Sequence, residues 1–413
     1  MITVQEARSL VQASIVPLGT EILPLSQLQN YVLAEEIVAP FALPRFTNAA
    51  MDGFAVKWDD ICRATADEPV RLKVLQVIPA GSFAPLPVAA GCCAEIMTGA
   101  PMPEGADTVV PFEQTSGFGA DVVAIYKPTK RCANVRYAGE EVGVGDHLLR
   151  QGVTLTLAEI AVLASFGFAS AAVQRRPRVS IVTVGDEVRM PGEEASAAQI
   201  YNSNRFMIEA LCRSVALEPI AVRHAPDDRE ALRAVLATAL SECDMLITAG
   251  GISTGEYDFV QSELSELGVT KKFWSVAQKP GKPLYFGLGS DGQVVFSLPG
   301  NPISAIVCLV VYGVPAMLAL QGKREAALRR ARLAEPFPAD KKRYRFLPGN
   351  VWLEDGEYRC RVAEKIESHN VTSLLGANCL IEAEASDEMI PAGSEVMCTL
   401  LPWATMEADR IAR

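Results

Sequence analysis

Lys279 and Lys282 lie in the run Lys279-Pro280-Gly281-Lys282-Pro283. Two prolines and a glycine exclude helix there and hold both ammonium groups on one rigid loop. Further on, Pro299-Gly300-Asn301-Pro302 opens a long apolar segment. Asn301 is placed as a helix N-cap and Pro302 as the first helical residue. Gly300 lets the main chain approach a ligand, and the free N–H groups of the next turn face outward. Two cations beside a helix N-terminus suit a phosphate-like anion. Taken alone, the same residues also read as an ordinary strand–turn–helix with two solvated lysines.

Two other runs add glycines and hard oxygen donors. Gly185-Asp186-Glu187 ends one apolar stretch, and Ala249-Gly250-Gly251-Ile252-Ser253-Thr254-Gly255-Glu256-Tyr257-Asp258 ends another. Gly250 and Gly251 permit close main-chain approach, and Ser253 offers a hydroxyl, as in a phosphate-cradling loop. Glu187, Asp227 and Asp258 suit Mg²⁺ held together with substrate phosphates rather than a transition metal. No GxxxxGK[ST] run occurs, which excludes a P-loop nucleotidase, and no GxGxxG opens the first helix, which argues against a dinucleotide oxidoreductase.

These loops need strands and helices behind them. Arg178–Val184, Pro219–Val222, Asp244–Thr248, Leu284–Gly287 and Val294–Leu298 read as strands, and Asn204–Val215 and Arg229–Leu240 as helices, with Ser203 and Asp227-Asp228 at their starts. Strands alternating with such helices predict βαβ units and a mostly parallel sheet, with ligands bound beyond the C-terminal strand ends. Four Gly-rich or charged loops from one sheet point to a binding site. Residues 303–320, almost wholly apolar, read as a buried helix at a core or subunit interface rather than a membrane span.

In the N-terminal part, Thr3 and Glu6 have capping-box spacing, and Ser26–Ile37 and Thr156–Phe166 read as helices. Between about 70 and 144 the runs Val70–Ile78, Cys93–Met97, Thr108–Phe112 and Val122–Tyr126 read as strands of an inserted β region. Asp52-Gly53 is a plain hairpin turn or a corner presenting a carboxylate. Thr98, before Gly99, caps a turn or donates to a ligand. Arg136, near Glu140 and Glu141, forms an internal ion pair or serves a planar or phosphate group.

At 413 residues, 49% hydrophobic and 21% charged, the chain reads as a soluble multidomain protein. A formal charge of −11 without basic runs argues against nucleic-acid binding, so any anion site must concentrate its cations locally. The ten cysteines form no CxxC pair and read as reduced, mostly buried thiols, and three isolated histidines make a histidine-ligated metal improbable. The N-terminal MITVQEARSL has no signal-peptide features, so the expected compartment is the cytoplasm, with no membrane attachment.

The motifs MDGFA (51–55), TGAPMPEGAD (98–107), VRYAGEE (135–141), TVGDE (183–187), IYNSNR (200–205), TAGGISTGEYDF (248–259), QKPGKP (278–283) and SLPGNPISA (297–305) together resemble the molybdopterin molybdenumtransferase family. The resemblance spans nearly the whole chain and is weakest after 327. It implies four parts: an N-terminal α/β region (1–45 with 145–176), an inserted β-rich region (46–144), a molybdopterin-binding three-layer α/β domain (177–326) and a C-terminal β-barrel (327–413). The runs Arg343–Leu347, Val351–Leu353, Tyr358–Val362, Asn378–Glu382 and Ser394–Leu401 suit the last. It implies that adenylylated molybdopterin reacts with molybdate, giving the molybdenum cofactor and AMP, with Mg²⁺ required. A homodimer sharing its cleft and contacts with other cofactor-synthesis proteins are also implied. Asp52, Thr98, Arg136, Glu187, Asp227, Asp258 and Lys279 fall on functional positions of the family. In this reading Lys279 and Lys282 stabilise oxyanion charge, Glu187 and Asp258 handle Mg²⁺ or water, and Asp52 reaches the cleft from a partner subunit. The resemblance further implies that the loops at Thr98-Gly99, Gly185-Asp186, Gly250-Gly251, Ser253, Gly255 and Pro299-Gly300-Asn301-Pro302 bind substrate.

Three residues depart from the family pattern: Ser275 stands where a lysine is usual, Glu141 replaces aspartate, and Phe54 replaces tyrosine. The first removes a cation and raises the alternative of a paralogue with another oxyanion, such as tungstate. A molybdopterin adenylyltransferase is disfavoured by the extra N- and C-terminal parts, and a non-catalytic scaffold by the lack of a fused domain or long linker.

Overall fold

The structure, a computed structural model, describes residues 1–252, 259–323, 328–363 and 371–404. It forms two compact units, one comprising 1–34, 154–156 and 170–413, the other 35–153 and 157–169.

In the first unit a six-stranded sheet runs in the order Ala221–Ala225, Val179–Val184, Met245–Ala249, Val294–Leu298, Tyr285–Leu288, Thr270–Trp274. The first four strands are parallel, and Tyr285–Leu288 runs antiparallel to both its neighbours, Val294–Leu298 and Thr270–Trp274. Val179–Val184 is buried at all six positions, which is why it reads as a continuous apolar run rather than an alternation. Alternate side chains feed two cores. Val179 and Ile181 pack with Ile208 and Leu211 of helix Ser203–Ser214 and with the apolar segment after Pro302. Val182 and Val184 pack with Leu232 and Leu236 of helix Arg229–Glu242 and Leu264 of helix Val260–Glu266. The result is a three-layer α/β domain.

Helix Pro302–Leu320 has the length and apolarity of a membrane span, yet 83% of its most apolar window is buried inside the protein. It is a core helix, interrupted by a π-turn at Leu309–Gly313. Three of the parallel strands end on the loops singled out above: Val184 before Gly185, Ala249 before Gly250, and Leu298 before Pro299.

The C-terminal part of this unit closes into a five-stranded barrel. Tyr344–Glu354 pairs with Glu357–Val362, which pairs with Arg329–Leu333, then Glu395–Leu400, then Cys379–Ala383, which returns to Tyr344–Glu354. Two runs expected on either side of Pro348-Gly349 are one strand. Its first half pairs with Cys379–Ala383 and its second with Glu357–Val362, so the apparent breaker marks a barrel corner. A Cβ on Gly349 would come 2.5 Å from the Arg361 carbonyl oxygen.

The N-terminal helix Val4–Ser14 carries the expected Thr3–Glu6 capping box. The helix expected at Ser26–Ile37 does not form. A short 3₁₀ turn at Leu25–Gln27 gives way to extended chain, where Val32 bridges Thr154 and Leu33 bridges Val173. Tertiary pairing of buried β-compatible residues overrides the helical spacing.

The second unit is built on a five-stranded sheet in the order Thr108–Pro111, Gly53–Val56, Cys92–Ile96, Val70–Ile78, Val122–Ile125, with helix Leu157–Ser165. All ten cysteines are free, and seven are buried.

Candidate active site

A cleft of about 620 Å³ opens over the strand ends of the first unit and is lined by Gly185, Glu187, Asp227, Gly250, Gly251, Pro299, Gly300, Asn301 and Pro302. The glycines are there for steric reasons. Gly250 has φ +99°, and a Cβ on it would lie 2.3 Å from the Val184 carbonyl oxygen. Gly251 has φ +66°, and its Cβ would lie 2.8 Å from Val260 Cγ2. A Cβ on Gly300 would meet only Gly250 Cα, at 4.0 Å, so the two strand-end loops run alongside each other; Gly300 is exposed, whereas Gly250 is buried and its N–H donates to the Leu298 carbonyl.

Asn301 occupies the N-cap position with Pro302 first in the helix, but its side chain makes no capping bond. The next helix start is capped by Asn202 rather than by the expected Ser203: Asn202 Oδ1 accepts from the Arg205 N–H at 3.0 Å. Asn202 also donates to Thr183 Oγ1 at 2.9 Å, and Asn204 Nδ2 donates to the Gly300 carbonyl at 2.7 Å. Both asparagines line the cleft, and Asn204 Oδ1 is buried without a partner. Neither was singled out from residue type, although both lie in the IYNSNR run. An Asn one residue either side of a helix start is ordinarily a cap, and only the fold shows that one of them braces Pro299-Gly300.

The carboxylates are arranged by the backbone. The Asp186 N–H donates to Asp227 Oδ2 at 3.1 Å, and the Asp227 N–H to Asp186 Oδ1 at 3.2 Å. Glu187 folds back over Gly185, whose Cβ would lie 2.5 Å from Glu187 Oε2. Among the described residues, no lysine or arginine pairs with Asp186, Glu187 or Asp227. No group of three or more His, Cys, Asp or Glu is placed to hold a metal among the described residues. Two uncompensated carboxylates in one cleft nevertheless fit Mg²⁺ of the kind that completes its shell with substrate phosphates and water. Ser253, Gly255 and Asp258 lie outside the described residues.

The lysines are placed differently from the sequence expectation. Of the Lys279–Pro283 run, Pro283 lines the cleft and Lys279 and Lys282 do not. Gln278-Lys279 pairs in parallel with Tyr344-Arg345 of the barrel, and Lys279 Nζ lies 3.9 Å from Asp340 Oδ2. That contact is long, and the lysine side chain is 44% exposed, so it holds Lys279 weakly. The loop itself is fixed from beneath. Gln278, fully buried, accepts from the Tyr312 hydroxyl at 2.6 Å and donates to the Pro280 carbonyl at 3.1 Å. Gly281 has φ +83°, and a Cβ there would lie 2.5 Å from Cys308 Sγ. Ser275 is buried with φ +82°; its N–H donates to Leu284 O, and its carbonyl accepts from the Ile2 N–H.

In the second unit the expected residues also cluster. The Thr98 N–H and hydroxyl both donate to Asp52 Oδ1, at 2.6 and 2.7 Å. These bonds, the main-chain one first, hold the Asp52 carboxyl below its ordinary range. The Gly99 N–H donates to Ala49 O, and Arg136 stands opposite Asn48 in a short antiparallel pair. Arg136 is exposed and makes no ion pair with Glu140 or Glu141; Glu140 instead accepts from the Tyr137 N–H at 2.8 Å. The hydrogen-bonding capacity of Thr98 is therefore spent on Asp52 as donor, leaving its oxygen as an acceptor.

The three segments match three family descriptions: MoeA N-terminal region (domain I and II) over residues 2–167, probable molybdopterin binding domain over 180–319, and MoeA C-terminal region (domain IV) over 330–401. A molybdopterin molybdenumtransferase of Haemophilus influenzae is 32% identical over 405 residues, covering 96% of this chain and 98% of that protein. One from Nostoc is 32% identical, covering 93% of this chain and 89% of that protein. A crystal structure of the Pyrococcus horikosii molybdopterin biosynthesis moea protein superposes with a TM-score of 0.79 at 31% identity, covering 97% of this chain and 99% of the other.

Proposed function

The chain belongs to the MoeA family of molybdopterin molybdenumtransferases, and on that premise we propose that its strand-end cleft receives adenylylated molybdopterin, inserts molybdate and releases AMP. The observation that carries this reading is the convergence of Gly250, Gly251 and Gly300 with the uncompensated carboxylates of Glu187 and Asp227 around one cleft. Exposed main chain at Gly300, beside the half-buried Gly251, receives phosphate oxygens. Asn204 Oδ1, buried and without a partner, is an acceptor for a pterin or nucleobase N–H. Glu187 and Asp227 hold Mg²⁺, which when bound supplies charge neutralisation at the phosphoanhydride. Asp186 orients Asp227. Lys279, held only weakly by Asp340, and the exposed Lys282 bring positive charge to the oxyanion from a loop whose base is rigid.

The homodimer belongs to this reading, with the partner's Asp52 contributing to the cleft, as does a cytoplasmic setting. Ser275 in place of the usual lysine leaves the oxyanion open, molybdate first and tungstate second. Incubation with adenylylated molybdopterin and either oxyanion, followed by AMP release, tests the proposal: oxyanion-dependent AMP release supports it, and binding without turnover under both oxyanions contradicts it.

A further inference from the structure

A second pocket, of about 440 Å³, lies between helix Val260–Glu266 and the edge strand Thr270–Trp274. It shares no lining residue with the strand-end cleft. Tyr285 lines it, is 1% exposed, and its phenol has no hydrogen-bond partner. The phenol is not an isolated oddity. Tyr285 is in register with Ser297, and Ser297 with Thr248, across three neighbouring strands. The hydroxyls of Ser297 and Thr248 are likewise buried and unpartnered. Three aligned hydroxyls therefore run along one face of the sheet towards this pocket, where apolar residues would have packed without penalty. A buried, unpaired hydroxyl costs about 1–3 kcal/mol; of the three only Tyr285 lines the pocket, so its phenol is the one that a polar group there would satisfy.

The character of the walls indicates what that is. Lys271 contributes an exposed ammonium, and Gln261 and Ser265 add an amide and a hydroxyl. No described lining residue is acidic, in a chain of net charge −11. Trp274 forms a flat wall, and its indole N–H is already committed to the Ile252 carbonyl at 3.3 Å. Burial pushes the Tyr285 phenol up to about 12, so it remains a neutral donor near pH 7. The cavity exceeds a bare oxyanion and falls in the size range of small-molecule sites.

We propose that this pocket is a second binding site, for a phosphate group, with the Tyr285 phenol at its floor and the Lys271 ammonium at its mouth. The phosphate is either free or borne by a nucleoside monophosphate, whose ring would stack on Trp274. The site stands apart from the strand-end cleft, and its existence does not depend on the transferase reading.

Calorimetric titration of the full chain with inorganic phosphate and, separately, with AMP tests this. Tyr285→Phe and Lys271→Gln are each expected to weaken binding about tenfold, which is about 1.4 kcal/mol. Gly300→Val, which crowds the other cleft, is expected to leave this binding unchanged. AMP binding at least about tenfold tighter than phosphate identifies a nucleotide-borne group, and equal affinities identify free phosphate; both support the site. The proposal is overturned if neither probe binds at ~10 mM, or if binding ignores Tyr285→Phe and Lys271→Gln, or if Gly300→Val abolishes it. Should Tyr285→Phe lower the melting temperature sharply, the exposed Lys271→Gln carries the test.

Discussion

Asp186 and Asp227 fix each other: each backbone N–H donates to the other's carboxylate, at 3.1 and 3.2 Å. They follow the adjacent parallel strands Val179–Val184 and Ala221–Ala225, so the exchange ties two strand-end loops together. It also leaves one oxygen of each carboxylate uncommitted by these bonds. In the proposed transferase, Asp186 is a positioning residue and Asp227 the group it positions.

Asp186→Ala removes the acceptor for the Asp227 N–H and should lower kcat about tenfold, with a smaller change in KM. Asp186→Asn keeps Oδ1 as an acceptor and should restore most of the loss. Steady-state AMP release for the two variants checks this, since a purely general loss of fold would not be rescued by the amide.

Gly250 and Gly300 should respond in opposite ways to alanine. At Gly250 the positive φ and the 2.3 Å approach to Val184 O should cost about 2–4 kcal/mol of stability. At Gly300 the added methyl meets nothing closer than 4.0 Å, so stability should change by less than about 0.5 kcal/mol while substrate affinity falls. Denaturant unfolding and substrate titration separate the two effects.

The acid limb of stability should depend on Asp244. Burial raises its pKa, but hydrogen bonds from the Arg175 and Arg178 side chains and the Arg178 N–H outweigh that and hold it well below the ordinary carboxylate range. A folded pKa below the unfolded one gives stability that is present above the unfolded value, about 3.9, and is lost as pH falls towards the folded value. Unfolding free energy should therefore drop on acidification below about pH 4. Asp244→Asn should be less stable at pH 7 and show a flatter acid limb in denaturant melts.

Tyr312→Phe leaves the buried Gln278 Oε1 without its 2.6 Å donor. A loss of about 1–3 kcal/mol is expected, together with reduced turnover from a loosened Lys279–Lys282 loop. Thermal unfolding and AMP release measure both; an unchanged melting temperature would contradict the role given to this hydrogen bond.

Much of the site was legible because glycines interrupt continuous apolar strands: Val184 before Gly185, Ala249 before Gly250, and Leu298 before Pro299-Gly300. Parallel-sheet rules then gather those tips without any long-range information. Lys279 was less legible, because its surroundings depend on Tyr344–Glu354, a barrel strand more than sixty residues away, and on Asp340 beside it. The Ser26–Ile37 segment misled because its apolar spacing suits a helix, whereas its partners Thr154 and Val173 are distant in the chain. Tyr285 and Ser297 looked like strand residues and nothing more. Only strand register places their hydroxyls in a row.

The most direct measurement is molybdate-dependent AMP release from adenylylated molybdopterin by the unaltered chain and by the Glu187→Gln/Asp227→Asn double variant. The cleft assignment predicts stoichiometric release by the former and a loss of at least ~10²-fold in the latter, with cooperative unfolding preserved. Release by the double variant within about tenfold of the unaltered chain would contradict it.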